Sequence, residues 1–387
     1  GLLTLDCSSN KLTGLDVSTF TDLTTLDIAS QTNGTALNTL NLAGLEDLVT
    51  LDCSDNSITT ANLTFPTPNA VLTTINCSDN ALTTLDVSAF TGIVTLNVSD
   101  NSLTSLDCSG NLISSLTIAT GNTGLLTLDC SSNKLTGLDV SSFTDLTSLD
   151  IASQTNLTDL TTLNLAALED LVTLDCSDNE IITANFTLPT TPNAVLTTIY
   201  CNDNALETLD VSAFTGIVTL NVSDNSLTSL DCSGNLISSL TIATGNTGLL
   251  TLDCSSNKLT GLDVSTFTDL TTLDIASQTN GTALNTLNLA GLEDLVTLDC
   301  SDNSITTANL TFPTPNAVLT TINCSDNALT TLDVSAFTGI VTLNVSDNSL
   351  TSLDCSGNLI SSLTIATGNT GLLTLDCSSN KLTGLDV

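Results

Sequence analysis

The stretch "LTTLDVSAFTGIVTLNVSDNSLTSLDCSGN", residues 82–111, decides how the whole chain is read. It restarts the same frame at Leu82, Ile93 and Leu103, and each frame runs into Val87, Val98 or Cys108. Within a frame, single polar residues alternate with apolar ones, as at Leu85-Asp86-Val87. Side chains on a strand alternate between faces, so this pattern predicts a short strand with one buried face. Ten residues are too few to circle a core. Two segments, ~21 residues, make one coil, at the lower end of leucine-rich-repeat lengths.

The frame continues outward over the chain. In the first copy it restarts at Leu2, Leu12, Leu23, Leu37, Leu48, Ile58, Leu72, Leu82, Ile93, Leu103 and Ile113. A longer period lies above it. "GLLTLDCSSNKLTGLDV" begins at Gly1, Gly124, Gly248 and Gly371, which gives long repeats 1–123, 124–247 and 248–370 and a partial copy, 371–387. Residues 1–140 recur without change as 248–387, so the true unit is 247 residues. Each long repeat holds eleven segments, an odd number. If segments alternate between two faces, each long repeat starts on the face opposite the last. The pattern returns to its face after 22 segments, the spacing at which the sequence becomes identical. A three-sided coil gives no such agreement. The expected fold is therefore a mainly β repeat solenoid, a flattened two-sided parallel coil of ~21 residues with inserted loops, continuous over 1–387.

The alternation in 82–111 resembles the cysteine-containing 21-residue leucine-rich repeats of bacterial internalins and of large Bacteroidota surface proteins. The resemblance covers essentially the whole chain. It implies a parallel β-solenoid on a secreted, cell-surface protein.

Composition narrows the chemistry. The chain has 387 residues, a net charge of −37, four lysines against 41 acidic residues, and no His, Arg, Met or Trp. Such a field repels nucleic acid and anionic membranes and attracts cations. No apolar run approaches the ~20 residues of a membrane span. The sequence starts at Gly1 and stops at Val387 in mid-pattern, so it reads as a piece of something longer.

Thirteen cysteines take the slot held elsewhere by Val17, Ile28, Leu42 or Val87, and so point inward. With no C-x-x-C and no His, zinc and nucleophile roles are disfavoured. In a two-sided coil, cysteines two segments apart stack. The expected structural pairs are Cys53 with Cys77, Cys108 with Cys130, Cys176 with Cys201, Cys232 with Cys254, Cys300 with Cys324, and Cys355 with Cys377. Cys7 is left over. Stacked strands lie ~4.8 Å apart, which suits buried thiols and leaves disulfides as the alternative in an oxidising compartment.

Outward positions read Thr-x-Asp/Asn-x-Ser. Asp6, Asp27 and Asp52 fall in one column and form a candidate cation ladder, with Ca2+ the suited ion; a plain solvated acidic surface is the other reading. Turn asparagines such as Asn10, Asn56, Asn80, Asn101 and Asn111 should satisfy backbone groups where the chain leaves the strand. Three insertions recur in each long repeat: "SQTNGTA" (30–36), "ANLTFPTPNAV" (61–71) and "ATGNTG" (119–124). As lateral knobs, they make Asn33, Phe65, Pro66, Pro68 and Asn122 candidate contacts between identical chains.

Function classes rank accordingly. Every potential catalytic residue exists in several equivalent copies, whereas catalysis needs one unique constellation. A ligand-binding repeat surface would lack Trp and Arg anchors and have one tyrosine, Tyr200, which leaves multivalent, cation-dependent adhesion. Ice binding is disfavoured by the Asp in each Thr row. A structural segment of a long extracellular rod, stalk or filament fits best, each 247-residue unit adding about 53 Å at ~4.8 Å per coil. Partners are expected to be further copies of the chain, with any host or prey glycan or protein contacted outside this stretch.

Overall fold

The computed structural model describes residues 1–31, 37–118, 121–155, 160–189, 195–242, 245–279, 284–365 and 368–385. The chain divides into two compact units, Gly1–Thr191 and Pro192–Val387. Each is a parallel β-solenoid of two- and three-residue strands, with one-turn 3-10 helices as its helical elements among the described residues.

In the first unit, strands of alternate segments join into separate sheets. Thr4–Asp6, Thr25–Asp27, Thr50–Asp52, Thr74–Asn76, Thr95–Asn97 and Ser115–Thr117 form one face. The intervening Thr84–Asp86 and Ser105–Asp107 lie on the other, and Thr127–Asp129 joins them. Thr4 begins the first long repeat and Thr127 the second, so one long repeat carries the chain to the opposite face, as the odd segment count requires. The second unit repeats the change. Thr251–Asp253 pairs with Ser229–Asp231, whereas its counterpart one long repeat later, Thr374–Asp376, pairs with Ser352–Asp354 in a different sheet from Thr342–Asn344.

Register places like on like: Thr25 opposite Thr50, Leu26 opposite Leu51, Asp27 opposite Asp52. This follows from burial. A slip by one residue would turn every inward leucine to solvent, and each such side chain contributes ~1.5–3 kcal/mol when buried. Leu26, Leu51, Ile75 and Leu96 are fully buried, as are Val98, Cys53 and Cys108.

The residue before each ladder amide takes a left-handed backbone, as at Ser30 (φ 56°), Asp55 (51°), Asp100 (53°) and Gly110 (68°). Asp, and less readily Ser, tolerates this region through local hydrogen bonding, and Gly has no Cβ to clash.

Two expectations about loops are corrected. Part of the insertion 61–71 belongs to the coil: Thr60–Asn62 is a 3-10 turn, and Leu63–Thr64 pairs with Leu40–Asn41. Phe65 packs edge-on against Phe90, with ring centroids 5.8 Å apart, and Pro66 is buried. Asn122 is fully buried, bound to the coil rather than displayed. A side chain inside the wall cannot contact another molecule, so Pro66 and Asn122 drop out as lateral contacts and Phe65 is half-covered. Pro68 is exposed. Asn33 lies outside the described residues.

Candidate functional surface

Three columns run along each unit: inward cysteines, turn amides, and outward carboxylates. None of the thirteen cysteines is in a disulfide; Cys7 and Cys377 are half-buried and the rest buried. The Cys53 N–H donates to Asn76 C=O at 2.9 Å, which sets Cys53 beside Cys77. The same bond, at 2.8–2.9 Å, sets Cys108 by Cys130, Cys232 by Cys254, Cys300 by Cys324 and Cys355 by Cys377. Cys176 is buried in the first unit and Cys201 in the second. Burial pushes the thiols of Cys53, Cys108 and Cys130 up, and those of Cys77 and Cys324 to about 12. At Cys53 burial acts first and the neighbouring Cys77 adds to it. A thiol held protonated at neutral pH is neither a nucleophile nor a metal ligand, so these side chains act through packing.

The amide column ties coil to coil. Asn101 Nδ2 donates to Cys77 C=O on the preceding coil and to Val98 C=O on its own, while its Oδ1 accepts from Leu82 N–H at 3.0 Å. Asn122 does the same for Val98, Ile118 and Leu103. Gln31, Gln154 and Gln278 also stand in this column, a set the sequence reading missed. Gln154 Nε2 donates to Cys130 C=O at 3.0 Å, and its Oε1 accepts from Leu135 N–H at 2.9 Å. The signal was present: "IASQ" aligns with "CSDN", placing Gln31 where Asn56 stands.

Outward, five aspartates stand shoulder to shoulder in the first unit: Asp86, Asp107, Asp129, Asp150 and Asp175. Asp210, Asp231, Asp253, Asp274 and Asp299 match them in the second. Most are steadied by the serine two residues on. Asp129 Oδ1 accepts from Ser131 N–H at 3.0 Å and from its hydroxyl at 2.7 Å. Such serine bonds hold the exposed Asp6, Asp16 and Asp376 below the usual carboxylate range. Asp150 and Asp274 are followed by Ala152 and Ala276, which offer only an N–H, at 3.1 and 3.0 Å. Half-buried, and flanked by Asp129 and Asp175 or by Asp253 and Asp299, they are raised to about 6, with burial the larger cause.

This sets a pH dependence. Between pH 4 and 6 the folded chain binds more protons at Asp150 and Asp274 than the unfolded chain does. Stability therefore falls as pH rises through that window and is regained on acidification. The serine-bonded aspartates act oppositely, below about pH 4. Each raised carboxylate should cost about 1 kcal/mol at pH 7.5, reduced from the full shift because half of it faces water. Replacing both by Asn should raise Tm at pH 7.5 by about 2 °C and flatten the profile between pH 4 and 7. An unchanged slope in thermal melts would show that other groups set it.

Asp6, Asp27 and Asp52 are side by side in register, but each Oδ1 is turned to its own strand exit, accepting from Ser8, Ala29 and Ser54. Among the described residues no group of three or more Asp, Glu or Cys is disposed to hold a metal ion. The column is thus no ligand set, and the expected ladder is corrected to a row of separately bonded carboxylates. Among the described residues no helix is long and apolar enough to cross a membrane.

A coil of about 21 residues, a leucine-lined interior and an amide column at each strand exit define a leucine-rich repeat. The described coils of this chain have that build, with cysteines among the inward residues. The Leucine Rich Repeat family model matches residues 1–23, 124–146 and 248–270, the opening of each long repeat. No curated protein matches the chain in sequence. Among solved structures, it is similar to the functional domain of InlJ from Listeria monocytogenes, described as including a cysteine ladder. The two are 27% identical over 90% of this chain and 68% of that one, with TM-score 0.29. A leucine-rich-repeat protein of Leptospira interrogans is 20% identical over 98% and 90%, with TM-score 0.28. The Arabidopsis receptor kinase HAESA, solved with a peptide hormone and a co-receptor, is 18% identical over 99% and 78%, with TM-score 0.32.

Proposed function

We propose that this chain is a non-catalytic structural segment of a long extracellular rod or stalk on a bacterial surface. One observation carries the reading: residues 1–140 and 248–387 are identical. Identical sequence presents every outward side chain again at the same spacing, which suits extension and suits poorly a single bespoke ligand site or active site. A solenoid lengthens by duplication because each coil templates the next. The buried thiols and amides serve the same end, since they join coil to coil. Bundling of copies through the loop at Pro68 is the finer reading of how such rods would assemble.

Electron microscopy of chains carrying one, two and four copies of the 247-residue unit tests this. Particle length should rise by about 53 Å per copy, at ~4.8 Å per coil. Compact particles whose length does not scale with copy number would end the rod reading. Several chains per cross-section would establish bundling, and lone solenoids would leave a monomeric stalk.

A further inference from the structure

On one face of the first unit the ladder is interrupted partway along. Leu63–Thr64 is the last strand of a three-stranded run, and the next strand on that face, Thr84–Asp86, has Ser105–Asp107 as its one paired neighbour. A threonine side chain bridges the break. Thr60 Oγ1 accepts from the N–H groups of Thr83 and Thr84, both at 3.0 Å, and donates to Thr84 C=O at 2.7 Å. It thus supplies bonds that a neighbouring strand would otherwise make, but it fills far less space than a strand.

The space left is a cavity of about 190 Å³ lined by Thr60, Leu63, Phe65, Leu82, Leu85 and Asp86. It reaches the core: Leu85 is 7% exposed, against 0% and 1% for Leu96 and Leu106. Asp86 is exposed at its rim, with Oδ1 held by Ser88 N–H at 3.0 Å and Ser88 Oγ–H at 2.7 Å. The second unit repeats the arrangement. Thr307 bridges to Thr330 and Thr331 at 2.8–3.0 Å, Phe312 meets Phe337 at 5.8 Å, and about 200 Å³ opens beside Leu332 and Asp333.

We propose that each cavity binds the side chain of a lysine from a basic partner polypeptide. At ~30 Å³ per water, the space holds about six waters, comparable to the five heavy atoms of a lysine side chain. The walls are aliphatic where the methylene stem would lie, and a carboxylate stands at the mouth where the ammonium would remain wet. The Phe65 ring adds a face for the cation. A net charge of −37 draws basic partners and repels acidic ones. A second copy of this chain is the weaker occupant of the cavity, because it offers four lysines among 387 residues. The inference does not depend on the chain being a rod.

The test is an NMR titration of the whole chain with the blocked tripeptide acetyl-Ala-Lys-Ala-amide and with its norleucine counterpart, following leucine methyl signals. The lysine peptide should give saturable shifts confined to the leucines of the two cavities, with the norleucine peptide at least tenfold weaker. Asp86→Asn with Asp333→Asn, two exposed carboxylates whose loss should leave the fold intact, should weaken the lysine peptide at least fivefold. Equal binding of norleucine, shifts that spread along the carboxylate columns without saturating, or indifference to the two Asn substitutions would each overturn the proposal. Failure here leaves particle length in micrographs untouched, so the two readings fall separately.

Discussion

Asn133→Leu should destabilise the first unit by about 3 kcal/mol, although leucine is the commonest core residue of this fold. Asn133 is fully buried. Its Nδ2 donates to the carbonyls of Cys108, Cys130 and Ser131 at 3.0 Å each, and its Oδ1 accepts from Ile113 N–H at 2.9 Å. Leucine matches the volume but leaves the Ile113 N–H without an acceptor in a dry wall, at about 1–3 kcal/mol. It also takes one donor from each of three carbonyls that keep another, Asn111 Nδ2 on Cys108, Gln154 Nε2 on Cys130 and Gly110 N–H on Ser131. Because each coil leans on its neighbours, the loss should appear first as faster amide exchange around Ile113 and Cys130, then as a lower Tm. At the exposed Asn10, water replaces the lost bonds and the same change should cost under about 1 kcal/mol. Equal effects at the two positions would show that burial of the amide is not what matters.

Gly121→Ala comes next, at about 3 kcal/mol. Gly121 has φ +79°, and a Cβ there would lie 2.4 Å from Asp100 Cα and 2.9 Å from Asp100 N. Both are backbone atoms of the preceding coil, so the coils themselves would have to part. Gly110 is the control. Its φ is +68°, but the nearest atom to an added Cβ is Ser88 O at 3.8 Å. Asp100 occupies the same turn position at φ 53° with a full side chain. Gly110→Asp should therefore cost under about 1 kcal/mol. Matching Tm losses at the two glycines would trace the effect to backbone conformation alone and remove the close approach as its cause.

These two cases divide what a reader of the sequence could and could not have known. The repeated Asn marks a turn amide, and its role follows from local chemistry. That Asn122, inside what reads as a glycine-rich loop, belongs to the same column does not follow locally, because its partners Val98 and Leu103 come from the coil before. Gln31 and Gln154 escaped notice for a related reason. A longer side chain fills the slot in coils whose turn carries the first insertion; the alignment of "IASQ" with "CSDN" marks the position, and the bonds to Cys7 and Cys130 show that Gln does the work of Asn there. Asp150 looks like every other outward aspartate until Ala152 is seen to offer no hydroxyl and the neighbours on both sides are seen to be carboxylates.

By itself, the sequence determined the two-sided coil, its register and the change of face with every long repeat. All three are consequences of a side-chain period of two and an odd segment count, and neither needs coordinates. The tertiary structure decided which outward-looking residues are in fact walled in and which turn amides carry buried bonds. It also decided where the ladder opens beside Thr60 and Leu85. Those outcomes rest on contacts between residues 18 to 28 apart, as in Asn111 with Ile93 and Asn56 with Ile28. An insertion of a few residues shifts which atoms meet across that distance while leaving the local pattern unchanged.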